Sequence, residues 1–162
     1  MNYSDQNIND VSPVVENSFA ASCEVVERLK SMFERLNASN CYSNLIDEVY
    51  RSDMLFEDSF HSIEGIDSFK AYCSSLYQNL RFCDFVFHQQ WVGVDDAMLT
   101  WTMSYSHARL KGGRVIQVDG ATHIKFDDKV YFHKDYFDGG ALLYEQVPLL
   151  GSVIKQIKKR MV

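Results

Sequence analysis

Four long stretches rich in β-branched and aromatic residues follow one another with only a few residues between them. They cover Phe82–Val92, Ala97–His107, Val115–Phe126 and Val130–Phe137. Side chains of this kind fit a pleated, half-buried surface. The connections are Gly93 to Asp96, Lys111-Gly112-Gly113 and Asp127-Asp128-Lys129. Links this short read as hairpins, so the stretches predict an antiparallel meander. Ahead of them the period is helical. Phe19, Val25, Val26, Leu29, Met32, Phe33 and Leu36 recur at three and four residues, which predicts an amphipathic helix from Pro13 to about Leu36. Tyr42, Leu45, Ile46 and Val49 form a shorter second stripe. Ile66, Phe69, Tyr72, Cys73, Leu76 and Leu80 form a third, opened by Gly65 and Asp67. Helices first and a meander after predict an α+β fold, with helices on one face of the sheet.

The chain of 162 residues is long enough for one domain with a sizeable core. Residues 1–12 are polar and read as a loose N-terminus, and residues 13–146 as the domain. Residues 147–162 read as a C-terminal helix, with Leu150, Val153, Ile154, Ile157 and Met161 on one side. Lys155, Lys158, Lys159 and Arg160 make that helix basic, as suits a helix C-terminus. Docking on protein is expected of it rather than binding to a membrane. Residues 1–150 hold 12 basic and 22 acidic side chains, a balance of −10. An acidic body argues against general nucleic-acid binding. Cys23, Cys41, Cys73 and Cys83 are scattered, with neither disulfide nor zinc spacing. No apolar leader and no membrane-length run are visible, so a cytoplasmic protein is expected.

Candidate chemistry begins at Met54–Gly65, read as a first strand. Met54, Phe56, Asp58 and Phe60 would share its inner face. A carboxylate among aromatics is desolvated, which predicts a raised pKa and a proton-transfer base. The plainer alternative has Asp58 cap a turn at the strand end. On the second long strand Leu99, Trp101, Met103, Tyr105 and His107 alternate toward the interior, as core or as a cavity wall. Thr100, Thr102, Ser104 and Ser106 take the outer face, flat enough for a twofold homodimer. Asp135 and His133 share a face of the last strand. Five histidines are present, but no HExxH or i,i+4 pair, so neither metal nor cofactor is expected.

The order of elements, Phe56-Glu57-Asp58 before Gly65, and the closing Asp135-Tyr136-Phe137-Asp138 together resemble the nuclear transport factor 2-like superfamily. Within it they are most similar to the SnoaL-like and ketosteroid isomerase-like proteins. The resemblance implies a cone-shaped half-barrel, a curved and mostly antiparallel sheet around the N-terminal helices, with a deep apolar pocket. It implies that members often pair as homodimers through the outer sheet face. Asp58 falls where ketosteroid isomerases carry the general-base aspartate. The position of their second acid, a protonated aspartate in the oxyanion hole, is Thr122 here. Asp135 matches a catalytic carboxylate of limonene epoxide hydrolases, but their Arg-x-Asp pair is absent from Ala97–His107.

Two functions follow. In the first, the pocket takes a small, largely apolar molecule and Asp58 moves a proton in isomerisation, dehydration or cyclisation. Tyr105, His107 or Asp135 then polarises an oxygen, and Phe33, Phe56, His61, Trp101, Met103, Thr122 and His133 line the pocket. In the second, the same fold is a ligand-binding or protein-interaction module without turnover. Epoxide hydrolysis stands behind both.

Overall fold

The computed structural model describes residues 13–108, 110–144 and 150–160. Helix α1 runs over Pro13–Arg35 and buries Val25, Val26, Leu29 and Met32. The second stripe yields only a four-residue helix, α2 (Asn44–Asp47), capped by the Ser43 side chain on the Leu45 N–H. Extended structure already begins at Tyr50. The stretch expected as one strand over Met54–Gly65 is instead two strands and a turn. These are β1 (Tyr50–Glu57) and β2 (Ser62–Glu64), antiparallel, with Phe56 opposite Ile63. Gly65 then enters helix α3 (Ile66–Gln78) at a φ of 82°, a backbone conformation that glycine adopts without penalty. α3 buries Phe69, Cys73 and Tyr77.

The meander follows as β3 (Leu80–Val92), β4 (Asp96–His107), β5 (Ile116–Phe126) and β6 (Val130–Phe137). The six strands form one sheet in the order β2-β1-β6-β5-β4-β3. β1 lies parallel to β6, with Phe56 opposite His133, and the other pairings among the described residues are antiparallel. Register shifts interrupt β3 between Phe87 and Gln90 and β1 between Tyr50 and Leu55. Such irregularities bend strands.

Strand alternation sorts the two faces. Ala97 and Leu99 of β4 are buried and join Met54, Phe56, Phe69 and Ile124 under α1, and Trp101 is buried on the same face. Each buried leucine, isoleucine, methionine or phenylalanine there contributes about 1.5–3 kcal/mol through removal from water. On the outer face Thr102 donates to Asp119 and bonds His88, and Gln117 donates to Ser104. Ser106, expected beside them, is buried and donates to the Gly113 carbonyl. Val86, Trp91 and Tyr136 stand exposed on this same side.

Helix α4 (Gly139–Leu142) follows β6, and α5 (Leu150–Arg160) ends the described chain. Lys158 of α5 reaches Asp138 at 3.5 Å. The apolar stripe of α5, expected to pack on protein, is partly uncovered in the single chain: Val153 and Ile157 are 52% and 53% exposed. Among the described residues no helix is long and apolar enough to cross a membrane.

Candidate functional site

A cavity of about 410 Å³ opens between α1, α3 and the inner face of the sheet. That size lies within the range of small-molecule sites. α1 contributes Phe33, and α3 contributes Phe69, Tyr72 and Cys73. Phe56, Phe85, Trp101, Met103 and Tyr105 complete the wall from the strands, and Phe60, His61, Leu142 and Leu143 stand toward its mouth. The helical face of Phe69, Tyr72 and Cys73 was readable as a buried stripe. That it forms a cavity wall depends on how α3 crosses the sheet.

Asp135 lies on the wall with its side chain 18% exposed. A chain of buried groups converges on it. Trp101 Nε1 donates to Thr122 Oγ1 at 2.8 Å, and Thr122 Oγ1 donates to Asp135 Oδ1 at 2.5 Å. From the other side the Tyr50 hydroxyl meets His133 Nδ1 at 2.7 Å, and His133 Nε2 meets Asp135 Oδ1 at 2.9 Å. The indole nitrogen only donates, so the threonine hydrogen is directed onward to the carboxylate. Both arms therefore end on one oxygen, and among the described residues no hydrogen bond reaches Oδ2. Thr122 and His133, expected on the wall, are absent from it and buried behind it. They hold Asp135. Burial raises the Tyr50 hydroxyl well above the usual phenol range, and the negative charge of Asp135 adds to that. Nothing in the local sequence singled out Tyr50.

Asp58 also reaches the cavity, by a different route from the one expected. β1 ends at Glu57, so strand alternation does not place it. The chain turns, and Asp58 Oδ1 accepts the Phe60 and His61 N–H groups, each at 2.7 Å. His61 Nδ1 approaches the same oxygen at 3.1 Å, and the Tyr72 hydroxyl donates to Oδ2 at 2.9 Å. The side chain is only 4% exposed. Asp58 thus caps a turn and lines a cavity at once, and its lone pairs are largely committed. Tyr72 was missed as a site residue. Burial raises its hydroxyl above the ordinary range, reinforced by the charge of Asp58.

Phe33, Phe56, His61, Trp101, Met103, Tyr105 and His107 all line the cavity, His61 with a half-exposed side chain. The Tyr105 hydroxyl donates to the Leu142 carbonyl, so it ties α4 to the sheet. Burial pushes it up to about 12. Burial likewise raises the Cys73 thiol and brings Cys83 up to about 12, so neither is a nucleophile at neutral pH. No Lys or Arg lines the cavity among the described residues.

The SnoaL-like domain family matches residues 29–133. No curated protein matches. Solved structures share the architecture at low identity. A protein of Jannaschia sp. CCS1, named for the SnoaL-like polyketide cyclases, is 19% identical with a TM-score of 0.67, over 83% of this chain and 94% of its own. A Catenulispora acidiphila protein with a ketosteroid isomerase-like fold, in complex with trimethylamine, is 11% identical with a TM-score of 0.64, over 76% and 91%. AclR of Streptomyces galilaeus, named as a hydroxylase, is 14% identical with a TM-score of 0.64, over 88% and 92%. The family match takes in α3 and most of the sheet, reaches His133 behind the cavity wall, and makes this chain a member of the SnoaL-like domain family.

Proposed function

We propose that the cavity binds a small, largely apolar molecule and that Asp135 exchanges a proton with it. The reaction class is isomerisation, dehydration or ring closure beside a carbonyl. The observation that carries this reading is the double chain of buried hydrogen bonds ending on Asp135 Oδ1, with Oδ2 left for the cavity. Asp135 takes a proton from carbon next to the carbonyl and returns it at another atom of the ligand. The carbonyl oxygen gains negative charge meanwhile and needs a donor. His61 and His107 are the candidates on the wall, since the Tyr72 hydroxyl already donates to Asp58. The general-base role first expected of Asp58 passes to Asp135, because the oxygens of Asp58 already hold the turn and Tyr72. The cyclase naming of the Jannaschia protein and the trimethylamine in the Catenulispora protein support a pocket that takes small molecules.

Native mass spectrometry of the purified chain identifies a co-purified ligand, and NMR in D2O follows deuterium entering it. Asp135→Asn is expected to slow that exchange about 10²–10⁴-fold at saturating ligand. An unchanged rate ends the proton-transfer reading. Binding without any exchange in the unaltered protein leaves a carrier of the same fold.

The outer sheet face is our proposed seat of a homodimer, since it carries Val86, Trp91 and Tyr136 at 51%, 56% and 47% exposure. Light scattering at micromolar concentration is expected to give twice the chain mass, and Val86→Arg to return it to one. Four free thiols fit a reducing compartment, and we place the protein in the cytoplasm.

A further inference from the structure

We propose that the ligand of this cavity is an organic cation, a tertiary or quaternary amine with an apolar body. The inference rests on the reading of the cavity as a small-molecule site and adds the chemical class of its occupant.

Charge is the first argument. Asp58 and Asp135 both lie on the wall and are 4% and 18% exposed, and no Lys or Arg lines it among the described residues. Most of the donors to the two carboxylates are neutral: two main-chain N–H groups, the Tyr72 phenol and the Thr122 hydroxyl. The groups near them that can take up a proton are His61, His107 and His133, and none carries a fixed charge. Two desolvated carboxylates without a permanent counter-charge are costly. A cation in the cavity supplies one. A carboxylate or phosphate ligand meets two like charges there and no fixed partner.

The rings are the second argument, independent of the first. Phe56 stands 5.0 Å from Phe69 and 5.5 Å from Tyr72, the ring whose hydroxyl holds Asp58. Phe85 stands 5.3 Å from Phe33 and 5.5 Å from Trp101, the ring whose nitrogen begins the chain to Asp135. Each carboxylate is thus backed by a group of aromatic rings. Ring faces attract ammonium groups within about 6 Å, most strongly away from water. A bare ammonium ion leaves most of the 410 Å³ empty, so the nitrogen bears carbon substituents. Asp58, its oxygens held by the turn, is the counter-ion near the mouth, which leaves Asp135 for the proton.

Three probes of similar shape test this on the full chain: benzyltrimethylammonium, its neutral carbon isostere neopentylbenzene, and the anion 3-phenylpropanoate. Affinities are read by NMR titration, with shifts of the Met103 methyl locating the probe. The cation is expected to bind at least about 10-fold tighter than the neutral isostere, and the anion weakest. Asp58→Asn and Asp135→Asn each retain an acceptor oxygen and so the turn and the buried chain. They are expected to remove most of the preference while the neutral probe binds as before. Equal or tighter binding of the neutral probe overturns the cation inference and leaves the small-molecule reading standing. A preference that survives both substitutions overturns it as well, since the cation is then held by the acidic surface. Failure of all three probes to reach the cavity ends both readings.

Discussion

Asp135 Oδ1 receives two arms of buried hydrogen bonds, and the direction of the tryptophan arm is set by the chemistry of its groups. The indole donates, the carboxylate accepts, and Thr122 between them must pass its hydrogen forward. Tyr50 and His133 are more than 98% buried, so a missing partner there cannot be replaced by bulk water. Tyr50→Phe leaves His133 Nδ1 without its partner, and is expected to lower the unfolding free energy by about 1–3 kcal/mol in urea titrations. A loss near zero would mean that the hydroxyl contributes nothing there. Gly120 faces Trp101 across β4 and β5, and a Cβ at Gly120 would fall 2.3 Å from the indole ring. The ring is rigid and is itself hydrogen-bonded to Thr122. Gly120→Ala is therefore expected to cost about 1–3 kcal/mol and to shift the tryptophan emission.

The turn between β1 and β2 brings one acid to the cavity, and β6 brings the other. Asp58→Ala removes the acceptor of two N–H groups in that turn, for an expected loss of about 1–2 kcal/mol. Asp58→Asn keeps an acceptor and is expected to stay within about 0.5 kcal/mol of the unaltered chain. Equal losses would show that charge, not the turn, holds the hairpin. These elements also show where the sequence was informative. Leu99, Trp101, Met103 and Tyr105 alternate without interruption, so the inner face of β4 was legible from period alone. Asp58 extended the same pattern on paper. The turn donors, invisible to a period-two pattern, end the strand one residue earlier. The pairing of Tyr50 with His133 joins residues 83 apart along the chain, through strands that lie parallel. No local pattern encodes such a register, so half of the chain that holds Asp135 was out of reach.

For the whole molecule, alkaline pH is the informative direction. Tyr50, Tyr72, Tyr77 and Tyr105 are all raised above the ordinary phenol value of 10.0, chiefly by burial, and Tyr105 reaches about 12. A phenol harder to ionise when folded binds more protons in the native state than in the unfolded one. Its contribution is complete below pH 10 and is lost as pH rises through the folded value. Urea midpoints are expected to hold up to about pH 10 and to fall steeply between 10 and 12, and a flat profile there would contradict the burial of these hydroxyls. The parallel junction of β1 and β6 has a further consequence, for the chain as it is being made. β1 is synthesised long before β6, and until β6 leaves the ribosome β1 has only the short β2 beside it. One edge of β1 is then an open template for a strand from another chain. Chains halted before Val130 are expected to aggregate, while those that reach Phe137 close the sheet and the cavity in the same step.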